Sequence, residues 1–165
     1  MANPLDDIIT DVIAKEGGSK ATNDSADKGG RTQYGISAKS NPKAWEDGKV
    51  TEEEARAIYL QKYVVGVGLH LIPPSHKKTQ ANLIDWGVMS GPGIAVKELQ
   101  KIVGAEQDGV FGSMTLQKLL AVDDRSLSNL LAASRVAMVG RVVQRNPSQV
   151  KWLGGWLKRA LDFIT

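Results

Sequence analysis

Between Glu16 and Ser37 the chain reads EGGSKATNDSADKGGRTQYGIS, a stretch that no hydrophobic core could absorb. It carries two glycine pairs, Gly17-Gly18 and Gly29-Gly30, and the acids Glu16, Asp24 and Asp27, with Thr32 and Tyr34 beyond them. Any fold of this chain must leave that segment at its surface. Polar, glycine-rich loops on a rigid frame are where catalytic and binding groups concentrate.

The segments around this loop have helical periodicity. Asn3 and Pro4 open a helix as N-cap and first-turn residue, with Asp6 and Asp7 at the positive end of its dipole. Leu5, Ile8, Ile9, Val12 and Ile13 recur at helical spacing and predict one buried face. Gly17-Gly18 ends that helix and leaves Glu16 in its last turn, where the dipole disfavours an anion. Thr32 to Ile36 has the β-branched and aromatic character of a hairpin arm. A short helix is expected between Ser37 and Asp47, with Trp45 as a packing residue.

Thr51 followed three residues later by Glu54 is a capping box. It opens a helix striped by Ala55, Ile58, Tyr59, Lys62 and Tyr63 and ending near Val65. Pro73-Pro74 interrupts the chain, and Ser75 begins a helix buried through Leu83, Ile84, Trp86 and Val88. Asp85, among these, needs a hydrogen-bonding partner on the backbone or at the site. Gly91-Pro92-Gly93 turns into a helix bearing Ile94, Ala95, Leu99, Ile102 and Val103, closed by Gly104. After the loop Asp108 to Gly112, Ser113 is expected to cap the next helix. Asp123-Asp124 then cap a long one running to about Arg145, with Leu127, Leu130, Leu131, Met138 and Val142 inward. The last segment puts Val150, Leu153, Trp156, Leu157, Ala160, Leu161 and Ile164 on one side, with Gly154-Gly155 making the helix imperfect. The fold class is therefore mainly α, with about seven helices and a small β-hairpin insert after the first.

Formal net charge is only +3, but it is unevenly placed. From Arg125 to Thr165 there are seven Lys or Arg against one acid, Asp162. A basic tail of this kind suits an anionic partner, an outer-membrane surface or a wall polymer, with Trp152, Trp156 and Leu157 beside Lys151, Lys158 and Arg159. A solvated helix face whose tryptophans pack the core accounts for the same residues. Nucleic acid is disfavoured by the acidic front half and the lack of a basic-aromatic groove. A monomer is expected. The first residues show no basic segment followed by a long apolar run, so residence in a cytoplasm is expected.

Several chemistries lose their residues. With no cysteine and only His70 and His76, a zinc site is disfavoured and no cofactor is implied. His70 lies in an apolar run and reads as a packing histidine. There is no GxSxG and no phosphate loop. Carboxylate chemistry remains. Glycosidic cleavage needs an acid on the leaving oxygen and commonly a second carboxylate for water or for the developing cation. Glu16 fits the first role by type, Asp27 or Asp24 the second, and the Thr32 hydroxyl is placed to orient a water.

Glu16-Gly17-Gly18, Asn23-Asp24, Asp27-Lys28-Gly29-Gly30, Thr32 and Tyr34-Gly35-Ile36-Ser37 together resemble the signature of glycoside hydrolase family 108. That family comprises peptidoglycan muramidases found as endolysins of phages that infect Gram-negative bacteria. The likeness continues through Thr51 to Ala55, Ile58-Tyr59, Asp85 to Gly91 and Leu99-Gln100. Asp108 to Gly112 with Thr115-Leu116, and Lys151 to Arg159, are similar to the peptidoglycan-binding half that usually follows. Ser19 and Lys28 depart from it, standing where an aromatic and a proline are common. The resemblance implies a lysozyme-like catalytic lobe over residues 1–91 and a helical peptidoglycan-binding lobe over 92–165, packed as one unit. It implies Glu16 as general acid, with Asp27 and Thr32 holding the attacking water, and Asp24, Gly30, Gln33 and Tyr34 as substrate-binding residues. It also implies release from the host cytoplasm to the periplasm through a separate pore protein. Two alternatives stay open: a lytic transglycosylase that uses Glu16 alone, and a non-catalytic cationic module for wall or membrane.

Overall fold

The computed structural model describes residues 4–23 and 30–165, so Asn3, expected as the first N-cap, lies outside the described residues. The chain forms two compact units, Met1–Lys62 and Tyr63–Thr165. The described residues contain seven α-helices and one two-stranded antiparallel sheet, the mainly α, lysozyme-like class expected.

In the first unit α1 spans Pro4–Lys15 and buries Ile8, Ile9, Val12 and Ile13, the face that the spacing predicts. α2 spans Glu52–Tyr59. Its capping box is formed: the Thr51 hydroxyl accepts from the Glu54 N–H, and the Glu54 carboxylate accepts from the Thr51 N–H at 2.8 Å. Arg56 joins the two helices. Its Nη2 donates to Thr10 Oγ1 at 2.8 Å and to Glu52 Oε1 at 2.9 Å. Between the helices lies a hairpin of β1 (Thr32–Gln33) and β2 (Ile36–Ser37), with Thr32 opposite Ser37 and Gln33 opposite Ile36. Thr22 pairs with the other edge of Thr32 through reciprocal backbone bonds of 2.8 and 2.9 Å. The short helix expected after Ser37 is a 3-10 turn, Pro42–Trp45. The Trp45 indole donates to the Ile36 carbonyl at 3.2 Å, and the Arg31 guanidinium lies 4.9 Å above its ring. A π-helix, Leu60–Val65, follows α2 in the sequence.

In the second unit α3 (Lys77–Ser90) packs against α4 (Pro92–Val103) and α6 (Asp124–Arg145), and α6 packs against α7 (Val150–Leu161). α5 is the short Ser113–Leu119. Because neighbours surround it, α3 buries polar as well as apolar positions: Thr79, Gln80, Asn82 and Asp85 beside Leu83, Ile84 and Trp86. Each buried polar group then needs a partner. Asn82 Nδ2 donates to the Ser128 carbonyl at 3.1 Å. Asp85 is held by two guanidiniums, Arg135 Nη2 at 2.8 Å and Arg159 Nε at 3.0 Å.

Some local expectations shift for identifiable reasons. Asp123 caps α6 by accepting from the Ser126 N–H, whereas Asp124 reaches across to accept from the Lys78 and Thr79 N–H groups at the start of α3. Gly112, not Ser113, is the N-cap of α5. α6 buries Leu127, Ser128, Leu131, Ala132 and Arg135, a stripe that leaves Leu130 and Val142 facing outward. Ile94 is likewise exposed. His70 is exposed, and the buried histidine is His76, whose Nε2 lies 2.8 Å from the Val122 carbonyl oxygen. α7 is continuous through Gly154-Gly155, but it buries only Ala160 fully and leaves Val150, Trp152 and Leu161 exposed. Arg159 points at Asp85, so it does not belong to a basic outer face. Among the described residues no helix is long and apolar enough to cross a membrane.

Candidate active site

The exit of α1 is a Schellman turn. The Gly18 N–H bonds to the Ile13 carbonyl at 3.0 Å and the Gly17 N–H to the Ala14 carbonyl at 3.3 Å. Gly17 has φ +98°, a backbone that side chains resist, which is why the helix stops where a glycine follows Glu16. Glu16 is thereby the last residue with helical bonding, its N–H on the Val12 carbonyl at 3.0 Å, and its side chain is half-buried.

The hairpin tip comes to this carboxylate. Only Tyr34 and Gly35 separate β1 from β2, and both have positive φ, +52° and +74°, as a type I′ turn requires. The Tyr34 N–H donates to the Gly18 carbonyl at 3.0 Å, and the Tyr34 carbonyl accepts from the Tyr59 hydroxyl at 3.0 Å. Gly35 sits so close that a Cβ there would lie 2.8 Å from Glu16 Cβ and 3.2 Å from Cγ, and would overlap the Tyr59 hydroxyl.

The expected site residues fall around that contact. Thr32 is the middle of the three paired segments, between Thr22 and Ser37, with its hydroxyl 3.4 Å from the Gly30 carbonyl oxygen. Gln33 is engaged within the protein: its Nε2 donates to the Ser19 carbonyl at 3.2 Å and its Oε1 accepts from the Val50 N–H at 3.1 Å. It fixes the start of the polar loop to the segment that precedes α2. Gly30, at φ +69°, has open space where a side chain would be. Tyr34 is half-buried at the tip. Asp24 and Asp27 lie outside the described residues. The structure thus brings Glu16 together with the hairpin that carries Thr32, Gln33 and Tyr34. It adds Gly35 and Tyr59, which the sequence reading took as a motif glycine and a core residue. The two-residue gap between Gln33 and Ile36 signalled the turn, but nothing local linked it to Tyr59, 25 positions from Tyr34.

Among the described residues no group of three or more His, Cys, Asp or Glu could hold a metal ion. Among the described residues the arrangement is a carboxyl at a rigid helix end, with the hairpin that carries Thr32 against it. Such a carboxyl is the kind of group that can deliver a proton to a leaving oxygen.

A family model described as glycosyl hydrolase 108 matches residues 9–91, and one described as a predicted peptidoglycan domain matches residues 94–161. The solved structure of SagA from Brucella abortus is similar at a TM-score of 0.68 and 29% sequence identity, over 96% of this chain and 94% of that one. A search of curated proteins found no match.

Proposed function

The chain belongs to the glycosyl hydrolase 108 family, and from that premise we propose that it is an N-acetylmuramidase, a lysozyme-type hydrolase. Membership makes it a glycoside hydrolase acting on peptidoglycan, with a peptidoglycan domain in its second half. In our reading it cuts the β-1,4 bond between N-acetylmuramic acid and N-acetylglucosamine. Glu16 protonates the bridging oxygen as that bond breaks. Asp27 and Thr32 hold the water that adds to the anomeric carbon, and the water's proton leaves to the carboxylate side. The observation that carries this is the placement of Glu16: a half-buried carboxyl at a glycine-terminated helix end, with the hairpin of Thr32 against it. The Glu16–Ser37 signature further supports a biological setting in phage-driven lysis, in which the enzyme gathers in the host cytoplasm and reaches the wall when a separate pore protein opens the membrane.

The test is digestion of purified cell walls, followed by mass spectrometry of the muropeptides. Products with a reducing muramic acid end are expected. A 1,6-anhydro end would make the enzyme a lytic transglycosylase, and cleaved peptide would place the cut elsewhere. Glu16→Gln is expected to abolish clearing in a wall zymogram, and unimpaired clearing would overturn the assignment of the acid.

A further inference from the structure

A glutamate at a helix end has three side-chain torsions, and solvent gives none of them a preference strong enough for catalysis. A general acid must nonetheless stay within hydrogen-bond reach of the oxygen it protonates. Something has to hold Glu16, and the hairpin tip is built to do it. A Cβ at Gly35 would fall 2.8 Å from Cβ and 3.2 Å from Cγ of Glu16, the atoms that fix its first two torsions. The tip is itself clamped from both sides. On one side the Gly18 carbonyl, just past the end of α1, accepts from the Tyr34 N–H. On the other the Tyr59 hydroxyl, from the last turn of α2, donates to the Tyr34 carbonyl. Tyr59 is only 2% exposed, so its ring is anchored by the core and its hydroxyl is a fixed point. Tyr34 holds φ +52°, a costly conformation for a residue with a side chain, and the two hydrogen bonds on either side of it keep it there.

We propose that Gly35 and Tyr59 are positioning residues for the acid: the tyrosine pins the hairpin tip, and the missing side chain of the glycine lets that tip set the rotamer of Glu16. The inference rests on Glu16 being the proton donor. It gives both residues an effect on kcat that runs through Glu16.

Gly35→Asn separates the contact from backbone strain, because asparagine tolerates positive φ while adding the Cβ that Glu16 cannot accommodate. Its kcat on soluble uncrosslinked glycan strands is expected to fall about 100-fold, the cost of misplacing a reacting group by around 1 Å. KM should stay within about two-fold, since uniform substrate binding is untouched. Tyr59→Phe, which removes one hydroxyl and keeps the ring, should lower kcat about ten-fold with the same unchanged KM. The double variant Gly35→Asn/Tyr59→Phe should be no slower than Gly35→Asn alone, because both changes release the same tip. Thr51→Ala serves as the control: it weakens the cap of the same helix α2 and should lower the melting temperature without moving kcat. If Tyr59→Phe and Gly35→Asn keep full kcat while Glu16→Gln is inactive, the positioning role is wrong and the acid stands. It is equally overturned if their losses in kcat merely track their melting temperatures along the line set by Thr51→Ala. If Glu16→Gln keeps activity, the acid assignment fails first.

Discussion

Asp85 shows how much a single residue depends on partners that lie far along the chain. It is 1% exposed, and the two guanidiniums that hold it come from positions 50 and 74 residues away. Burial lowers the proton affinity of Arg135, and the adjacent Asp85 carboxylate raises it again. Removing the charge takes away the carboxylate on which both guanidiniums converge. Asp85→Asn is therefore expected to destabilise by about 3–5 kcal/mol, read from urea unfolding. Glu52→Gln, at an exposed pair with Arg56, should cost no more than about 1 kcal/mol. That a polar group sat inside a buried helix was legible in the sequence. That Arg135 and Arg159 were its partners was not, because only the packing of α6 and α7 on α3 brings them there. The same contact takes Arg159 out of the basic tail that the composition alone would draw. At Glu16 the reverse holds: the glycine pair that ends its helix is adjacent in the chain, so its position could be read directly.

Elements were legible where their signals are local. The capping box of α2, the glycine ends of α1 and α4, and Pro73-Pro74 each act within a turn of themselves. Where packing decides, the pattern misleads. Gly154-Gly155 reads as an imperfection in the last helix, yet α7 is continuous, with Leu153, Trp156, Leu157 and Ala160 turned inward where it packs on α6. The π-helix Leu60–Val65 leaves no trace in the spacing. Two predictions belong to this scale. Gly140, Gly154 and Gly155 are helical with open space around them, so Ala at each should stabilise by roughly 0.5–1 kcal/mol. Gly17→Ala, at positive φ, should instead cost about 1–2 kcal/mol; denaturant midpoints give both signs. Three hydrogen-bonded surface carboxylates also contribute to the acid limb of stability. Hydrogen bonds from Thr51 hold Glu54 below the ordinary carboxylate range, and those from Ser126 and Val110 do the same for Asp123 and Asp108. A carboxyl depressed in the fold contributes stability that is complete above its unfolded value, about 4, and is lost as pH falls through the lower folded value. Melting temperature should thus hold from pH 7 to about 5 and drop below about 4. Thr51→Ala should narrow its deficit against the parent in that acid range.

Across the whole molecule, the compact units and the family matches divide the chain differently. The units part at Lys62 and Tyr63, whereas the two family models meet between 91 and 94. α3 falls between these limits, within the hydrolase match yet in the core of the second unit. A fragment of residues 63–165 should therefore melt cooperatively by circular dichroism. One of residues 92–165, deprived of Leu83, Ile84, Asp85 and Trp86, should not. The fold class was readable from the succession of helical segments, and the Glu16–Ser37 signature from its local motif. The clamp on the acid was not readable, since it joins a helix end, a hairpin tip and a tyrosine from three separate stretches. The empty space beside Gly154 and Gly155 has a practical use as well. The chain contains no cysteine, so a thiol introduced at either position would be its sole thiol for attaching a dye or a solid support, on the unit that does not carry Glu16.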